Sequence, residues 1–275
     1  MLCLSPHGFY RMAYAEWPGP ERRRPIVCVH GLTRNGRDFD RLAAALAHDC
    51  RVVSPDMPGR GKSQWLEHEA DYAYPTYIGA CAALIARLGV DEVDWVGTSM
   101  GGIVGMFLAA LPGTPIRRLV LNDIGAFIPA DGLRRLATYV GADPSFADPA
   151  ALEADLRRVA APFGQLSDAD WHHLAAISAR RKPDGTLGYA YDPRIGAGLR
   201  QAEPQDVDLW ATWDAITVPT LVLRGAESDI LRAADARAMT GRGPRARLVE
   251  FPGVGHAPAL MDEAQIAHVR GFLGA

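Results

Sequence analysis

Cysteine is scarce in this chain: four in 275 residues, at positions 3, 28, 50 and 81, without metal-ligand spacing. Cys28 falls in an apolar strand pattern and Cys81 in a helical one, so the expectation is buried free thiols. An excess of either charge is also missing. Lys plus Arg is 29 and Asp plus Glu is 32, a formal net charge of −3, and no basic stripe points to nucleic acid. The most visible basic run, Arg22-Arg23-Arg24, reads as a solvated loop. No stretch approaches the roughly 20 apolar residues of a membrane helix. Met1 to His7 lacks the charged region and long apolar run of a signal peptide, which makes the cytoplasm the expected location. Gly61-Lys62-Ser63 ends like a phosphate-binding loop, but the glycine required five residues earlier is Asp56. No G-x-G-x-x-G opens a helix after a strand, so a dinucleotide site is not expected. His172-His173 is a poor metal pair, because adjacent helical residues point away from each other. Neither a metal nor an organic cofactor is therefore expected.

Nearly half the residues are apolar and 22% are charged, enough to bury a substantial core. The length suits one α/β domain or such a domain with an inserted lobe. Strand and helix patterns alternate. An N-terminal hairpin is expected over 7–17, then strands at 26–29, 51–54, 93–96 and 118–122. Helices at 38–47, 76–88 and 99–111 fall between them. That rhythm predicts a mostly parallel twisted sheet flanked by helices. After Asp123 it breaks. Helical patterns near 131–140, 149–161 and 167–179 follow, with Pro and Gly turns between them. A core helix at 205–216 and strands at 219–225 and 247–251 then resume the rhythm. Some eighty residues between two core strands are too many for a plain loop.

Chemistry concentrates at Gly97-Thr98-Ser99-Met100-Gly101. The pattern G-x-S-x-G between a strand and a helix is a nucleophile elbow, a turn too sharp for ordinary residues that exposes the serine hydroxyl at a sheet edge. The two glycines remove Cβ atoms that would collide with the neighbouring strand and helix. A serine nucleophile needs a base and a group to orient that base. His256 follows the last strand in Gly253-Val254-Gly255-His256. Asp229 follows the strand ending at Gly225. Asp123, after Leu119-Val120-Leu121, and Glu227 also satisfy the order serine, acid, histidine; Asp229 is the favoured acid.

Five segments in this order resemble the α/β-hydrolase fold superfamily across nearly the whole chain. They are Val27-Cys28-Val29-His30-Gly31-Leu32, Ser54-Pro55-Asp56-Met57-Pro58-Gly59-Arg60-Gly61-Lys62-Ser63, the elbow, Gly225-Ala226-Glu227-Ser228-Asp229, and Gly255-His256. The resemblance implies a core of residues 1–124 and 204–275 and a helical cap, or lid, at 125–203. It implies an oxyanion hole from the backbone N–H groups of Leu32 and Met100, with His30 structural beneath the loop. Arg34, Asn35 and Phe39 are pocket candidates. The aromatics Phe127, Tyr139, Phe146, Phe163, Trp171, Tyr189 and Tyr191 of the inserted segment are expected partly to face the serine, with Phe127, Tyr139 and Trp171 as pocket residues. Relatives that carry an aspartate nucleophile differ at Ser99. The implied activity is hydrolysis of short- to medium-chain or small aromatic carboxylic esters through an acyl-enzyme. Thioester or lactone hydrolysis would use the same residues, and a non-catalytic small-molecule binding protein would keep the same fold. The expected partner is a small ester, the expected assembly a monomer or homodimer.

Overall fold

A computed structural model describes residues 1–20, 23–200 and 203–275. Arg22 of the basic triplet and residues 201 and 202 of the 125–203 segment lie outside the described residues. The chain starts with a hairpin of β1 (Leu2–Ser5) and β2 (Gly8–Arg11), followed by β3 (Tyr14–Trp17). The hairpin thus lies earlier than the 7–17 pattern suggests. It turns at Pro6-His7, and Gly8 takes a φ of 144° that a side chain would resist. Cys3 and Tyr10, facing each other across the pair, bury the inner face.

The main sheet has seven strands. They are β3, β4 (Ile26–Val29), β5 (Val52–Pro55), β6 (Val93–Thr98), β7 (Ile116–Asn122), β12 (Thr220–Gly225) and β13 (Arg247–Phe251). Their spatial order is β13-β12-β7-β6-β4-β5-β3, and every pair is parallel except the edge strand β3 on β5. The inner strands carry apolar runs because both faces are covered; all four residues of β4 are apolar and buried. One face packs on α2 (Tyr74–Leu88), α3 (Met100–Ala110), α8 (Trp210–Ala215) and α9 (Ala233–Met239) through Leu84, Val104, Trp213 and Met239. The other packs on α1 (Asp40–Leu46) and α10 (Glu263–Leu273) through Leu42, Leu46, Ile266 and Val269. No helix of the described residues is long and apolar enough to cross a membrane.

Between β7 and β12 the chain leaves the sheet. It forms α4 (Ala130–Ala137), α5 (Pro149–Val159), α6 (Asp168–Ser178) and α7 (Ala197–Arg200), with a small hairpin of β9 (Ala179–Arg181) and β10 (Leu187–Tyr189). Phe146, Leu152, Leu156, Trp171 and Leu174 of this segment pack into a separate apolar cluster, which Met261 from the loop after β13 joins. Two short antiparallel strands, β8 (Phe127–Ile128) and β11 (Val207–Asp208), tie its two ends together. β11 takes the start of the expected 205–216 helix, which is confined to α8. Pro204 and Asp206 precede it, and Asp208 caps the turn by accepting from the Trp210 N–H at 2.9 Å.

Candidate active site

Ser99 sits at the junction of β6 and α3 with φ 50° and ψ −115°, a conformation L-residues rarely adopt. Neighbouring atoms enforce the turn. A Cβ on Gly97 would lie 2.3 Å from the Gly101 carbonyl oxygen, and one on Gly101 would lie 2.0 Å from the Val29 carbonyl oxygen of β4. Neither position admits any other residue without moving backbone. The Ser99 N–H donates to the Asn122 carbonyl at 3.0 Å, which locks the elbow to the end of β7.

His256 reaches the serine from the loop after β13. Its Nε2 lies 2.9 Å from Ser99 Oγ and its Nδ1 2.7 Å from Asp123 Oδ2. The sequence pattern favours Asp229 for this position; the geometry puts Asp123 there instead. Asp123 directly follows β7, has a φ of 56° and is fully buried. Its Oδ1 accepts from the Gly225 N–H at 2.8 Å and its Oδ2 also accepts from the Ser228 hydroxyl at 2.5 Å. In the loop after β12, therefore, Ser228 turns inward and braces Asp123. Asp229, the next residue, turns outward to receive Arg135 of α4 through both carboxylate oxygens. Burial pushes the Asp229 carboxyl up, but the Arg135 hydrogen bonds and charge outweigh this and leave it below the ordinary aspartate value. Glu227 is exposed.

The loop after β4 passes beside the serine. A Cβ on Gly31 would sit 3.7 Å from Ser99 Cβ. His30 lies beneath it, fully buried. Its Nε2 accepts from the Met57 N–H at 2.9 Å, which leaves Nδ1 to donate to the Gly31 carbonyl at 2.7 Å. Burial pushes its pKa down to about 3, so the ring stays neutral. In a trans peptide the C=O and N–H point in opposite directions. Tethering the Gly31 carbonyl to His30 therefore turns the Leu32 N–H away from the core.

A cavity of about 710 Å³ opens over Ser99 and His256. Its walls come largely from the inserted segment, including Leu136, Val140, Leu156 and Pro162. Of the aromatics expected near the serine, Tyr139, Phe163, Tyr189 and Tyr191 line it. Phe127, Phe146 and Trp171 do not. Phe127 lies under the Arg232 guanidinium, while Phe146 and Trp171 pack into the separate apolar cluster. Of the loop candidates, Arg34 lines the cavity, held by Asp38 at 2.7 and 2.8 Å and by Ser178 at 2.9 Å. Asn35 caps a turn through the Arg37 N–H and donates to the Ile177 carbonyl at 2.8 Å. Phe39 belongs to the core beneath α1 and borders only a small separate void. The pattern gives no hint of Arg135, which also lines the cavity, because its partner lies 94 positions away. Among the described residues no cluster of three or more His, Cys, Asp or Glu side chains is arranged to hold a metal.

Residues 26–269 match the model of the alpha/beta hydrolase family. The chain is 44% identical over 273 residues to a 3-hydroxybutyrate-oligomer hydrolase of Cupriavidus necator, covering 96% of this chain and 93% of that one. A putative hydrolase from Rickettsia typhi superposes with a TM-score of 0.91 at 34% identity, over 97% of this chain and 92% of that one. An alpha/beta hydrolase from Novosphingobium aromaticivorans superposes with a TM-score of 0.89 at 35% identity, over 100% and 97%.

Proposed function

The chain belongs to the alpha/beta hydrolase family, and on that premise we propose that it is a serine hydrolase of carboxylic esters working through an acyl-enzyme. The observation that carries this reading is the unbroken chain of contacts from Ser99 Oγ through His256 to Asp123, at 2.9 and 2.7 Å. Ser99 Oγ attacks the ester carbonyl carbon while its proton passes to His256 Nε2. The carbonyl π electrons move to oxygen, and the backbone N–H groups of Leu32 and Met100 receive the resulting oxyanion. Collapse expels the alcohol oxygen, which takes the proton from Nε2. Water then attacks the acyl-serine while its proton passes to His256, the bond to Ser99 Oγ breaks as Oγ takes that proton back, and the carboxylic acid leaves. Asp123 holds the imidazole with Nδ1–H toward itself and stabilises the imidazolium formed in each half-reaction.

The segment at 125–203 acts as a lid whose inner wall shapes the acyl and alcohol pockets. Its apolar side chains and four cavity-lining aromatics suit a short flexible ester chain. The 44% identical relative named as a 3-hydroxybutyrate-oligomer hydrolase makes linear oligoesters of short hydroxy acids the leading substrate class. Thioesters and lactones would meet the same serine. The test is hydrolysis of 3-hydroxybutyrate dimer and trimer beside p-nitrophenyl acetate, butyrate and octanoate, an acyl thioester and a lactone, each with Ser99→Ala as control. Turnover of oligomer and short esters that disappears in Ser99→Ala supports the reading. Binding without turnover of any of them would make the chain a non-catalytic binding protein.

A further inference from the structure

Arg60 lies in the loop after β5 and is fully buried, although it is the largest cation a protein can bury. Taking a guanidinium out of water costs several kcal/mol unless its donors are met. Each of its nitrogens is met. Nε donates to the Leu32 carbonyl at 2.9 Å. Nη1 donates to the Pro58 carbonyl at 2.6 Å and the Tyr77 hydroxyl at 3.0 Å. Nη2 lies 3.7 Å from Met100 Sδ. The rings of Tyr77 and Tyr72 flank it, their centroids 5.1 and 5.7 Å away. All these partners are neutral; among the described residues no carboxylate pairs with it.

Two of those contacts fall on the residues that supply the proposed oxyanion donors. The Leu32 N–H lies between two anchored carbonyls: His30 holds the Gly31 carbonyl and Arg60 holds that of Leu32. The same guanidinium rests against the side chain of Met100, the residue after the nucleophile. Its own loop is fastened to the inserted segment, for the Gly61 N–H donates to the Ala190 carbonyl at 2.8 Å and the Asp192 N–H to the Gly59 carbonyl at 2.7 Å. A carboxylate partner would cancel the cation's field. Without one, its positive charge stays uncompensated beside the Leu32 carbonyl and the Met100 side chain, in a medium that screens it weakly.

We propose that Arg60 is a positioning residue of the oxyanion hole, fixing the Leu32 backbone against the side chain of Met100 and adding beside them a positive charge that no carboxylate pairs. This rests on the serine-hydrolase reading above. It predicts that loss of Arg60 harms the transition state and spares ground-state binding. In Arg60→Met, kcat for p-nitrophenyl butyrate should fall about a hundredfold, the order seen when one oxyanion donor is removed, with KM within threefold. A trifluoromethyl ketone supplies the second readout. Ser99 Oγ adds to its carbonyl carbon, the serine proton passes to His256, and the former carbonyl oxygen becomes an oxyanion. Its inhibition constant should rise by the same factor as kcat/KM falls. The corresponding trifluoromethyl alcohol, which cannot form that adduct, should bind as to wild type. Arg60→Lys keeps the charge but only part of the donor set, and should recover kcat only in part, to between about three- and tenfold below wild type. Should Arg60→Met fail to fold, Arg60→Lys carries the same comparison, with kcat and ketone affinity reduced in step and alcohol affinity unchanged. The proposal is overturned by a kcat within twofold of wild type in a folded Arg60→Met or, failing that, a folded Arg60→Lys, or by equal weakening of ketone and alcohol. A wild type that turns over no ester would instead sink the hydrolase reading itself.

Discussion

Replacing Asp123 by Asn isolates what the acid does. The swap preserves shape, and the buried site constrains how the amide can lie. Asp123 Oδ1 accepts from the Gly225 N–H, so the amide oxygen must stay there and the NH2 must take the place of Oδ2. That NH2 faces two groups, the Ser228 hydroxyl and His256 Nδ1. The hydroxyl already accepts from the Ile230 and Leu231 N–H groups at 3.2 and 3.0 Å, so it can accept from the amide only by giving one of them up. The imidazole can accept at Nδ1 only by moving its proton to Nε2, which then points at Ser99 and can no longer take the serine proton. A wrong-tautomer substitution of this kind costs about 10⁴ in kcat, or about 5.5 kcal/mol of transition-state stabilisation. Asp229→Asn is the matched control. It breaks a half-exposed ion pair with Arg135, worth about 1 kcal/mol or less of stability after solvent screening. It leaves both contacts of His256 in place, so its kcat should stay within about threefold of wild type. The assay is steady-state hydrolysis of p-nitrophenyl butyrate, with folding checked by circular dichroism. A folded Asp123→Asn that keeps a tenth of wild-type kcat, or an Asp229→Asn that loses a thousandfold, would refute the assignment.

Other consequences follow from the same geometry. Burial holds the His30 pKa near 3, below its ordinary value near 6.5, so its contribution to stability is complete above about pH 6.5 and is lost as pH falls toward 3. Urea unfolding at pH 7 and pH 5 should show a loss of about 2 kcal/mol from this group, and His30→Gln, although less stable at pH 7, should lose about that much less over the interval; equal losses in both proteins would contradict it. Gly101→Ala should prevent soluble folding or lower Tm steeply, because the new methyl would lie 2.0 Å from the Val29 carbonyl oxygen; a Tm within about 1 °C of wild type, a shift of roughly half a kcal/mol by the usual size scaling, would show that the turn relaxes. Tyr139→Ala should change the ratio of octanoate to acetate ester hydrolysis, because the ring lines the cavity, whereas Trp171→Ala should cost stability and leave that ratio within twofold. A ratio altered only by Trp171→Ala would move the acyl pocket elsewhere.

Local patterns revealed the elements whose partners lie close in sequence. The elbow was legible because Gly97, Ser99 and Gly101 meet their constraint within five positions. His256 was legible because a glycine-rich loop follows a clear strand. The acid was ambiguous because two adjacent parallel strands, β7 and β12, each end in a loop bearing an aspartate. Which of them faces His256 depends on one turn residue, and Ser228 rather than Asp229 points inward. The hairpin at 2–11 is hard to place from the pattern because its inward face carries Cys3, Ser5 and Tyr10 while its exposed face carries the apolar Leu2, Leu4 and Phe9, which hides the alternation. Pocket residues were the least legible. Whether Trp171 or Tyr139 meets the cavity depends on how α4 to α6 pack on one another, which periodicity within one helix does not specify. Arg60 reads as one more residue of a Gly-rich loop, and only the folded chain shows it buried against Leu32 and Met100.

The central claim is that Ser99, activated by His256, becomes acylated. Its most direct test is intact-protein and peptide mass spectrometry after brief exposure to a fluorophosphonate, with and without p-nitrophenyl butyrate as competitor. One adduct per chain is expected, mapped to Ser99, slowed by the ester and lost in a folded Ser99→Ala. No adduct on the folded wild type, or an adduct that persists in Ser99→Ala, would contradict it.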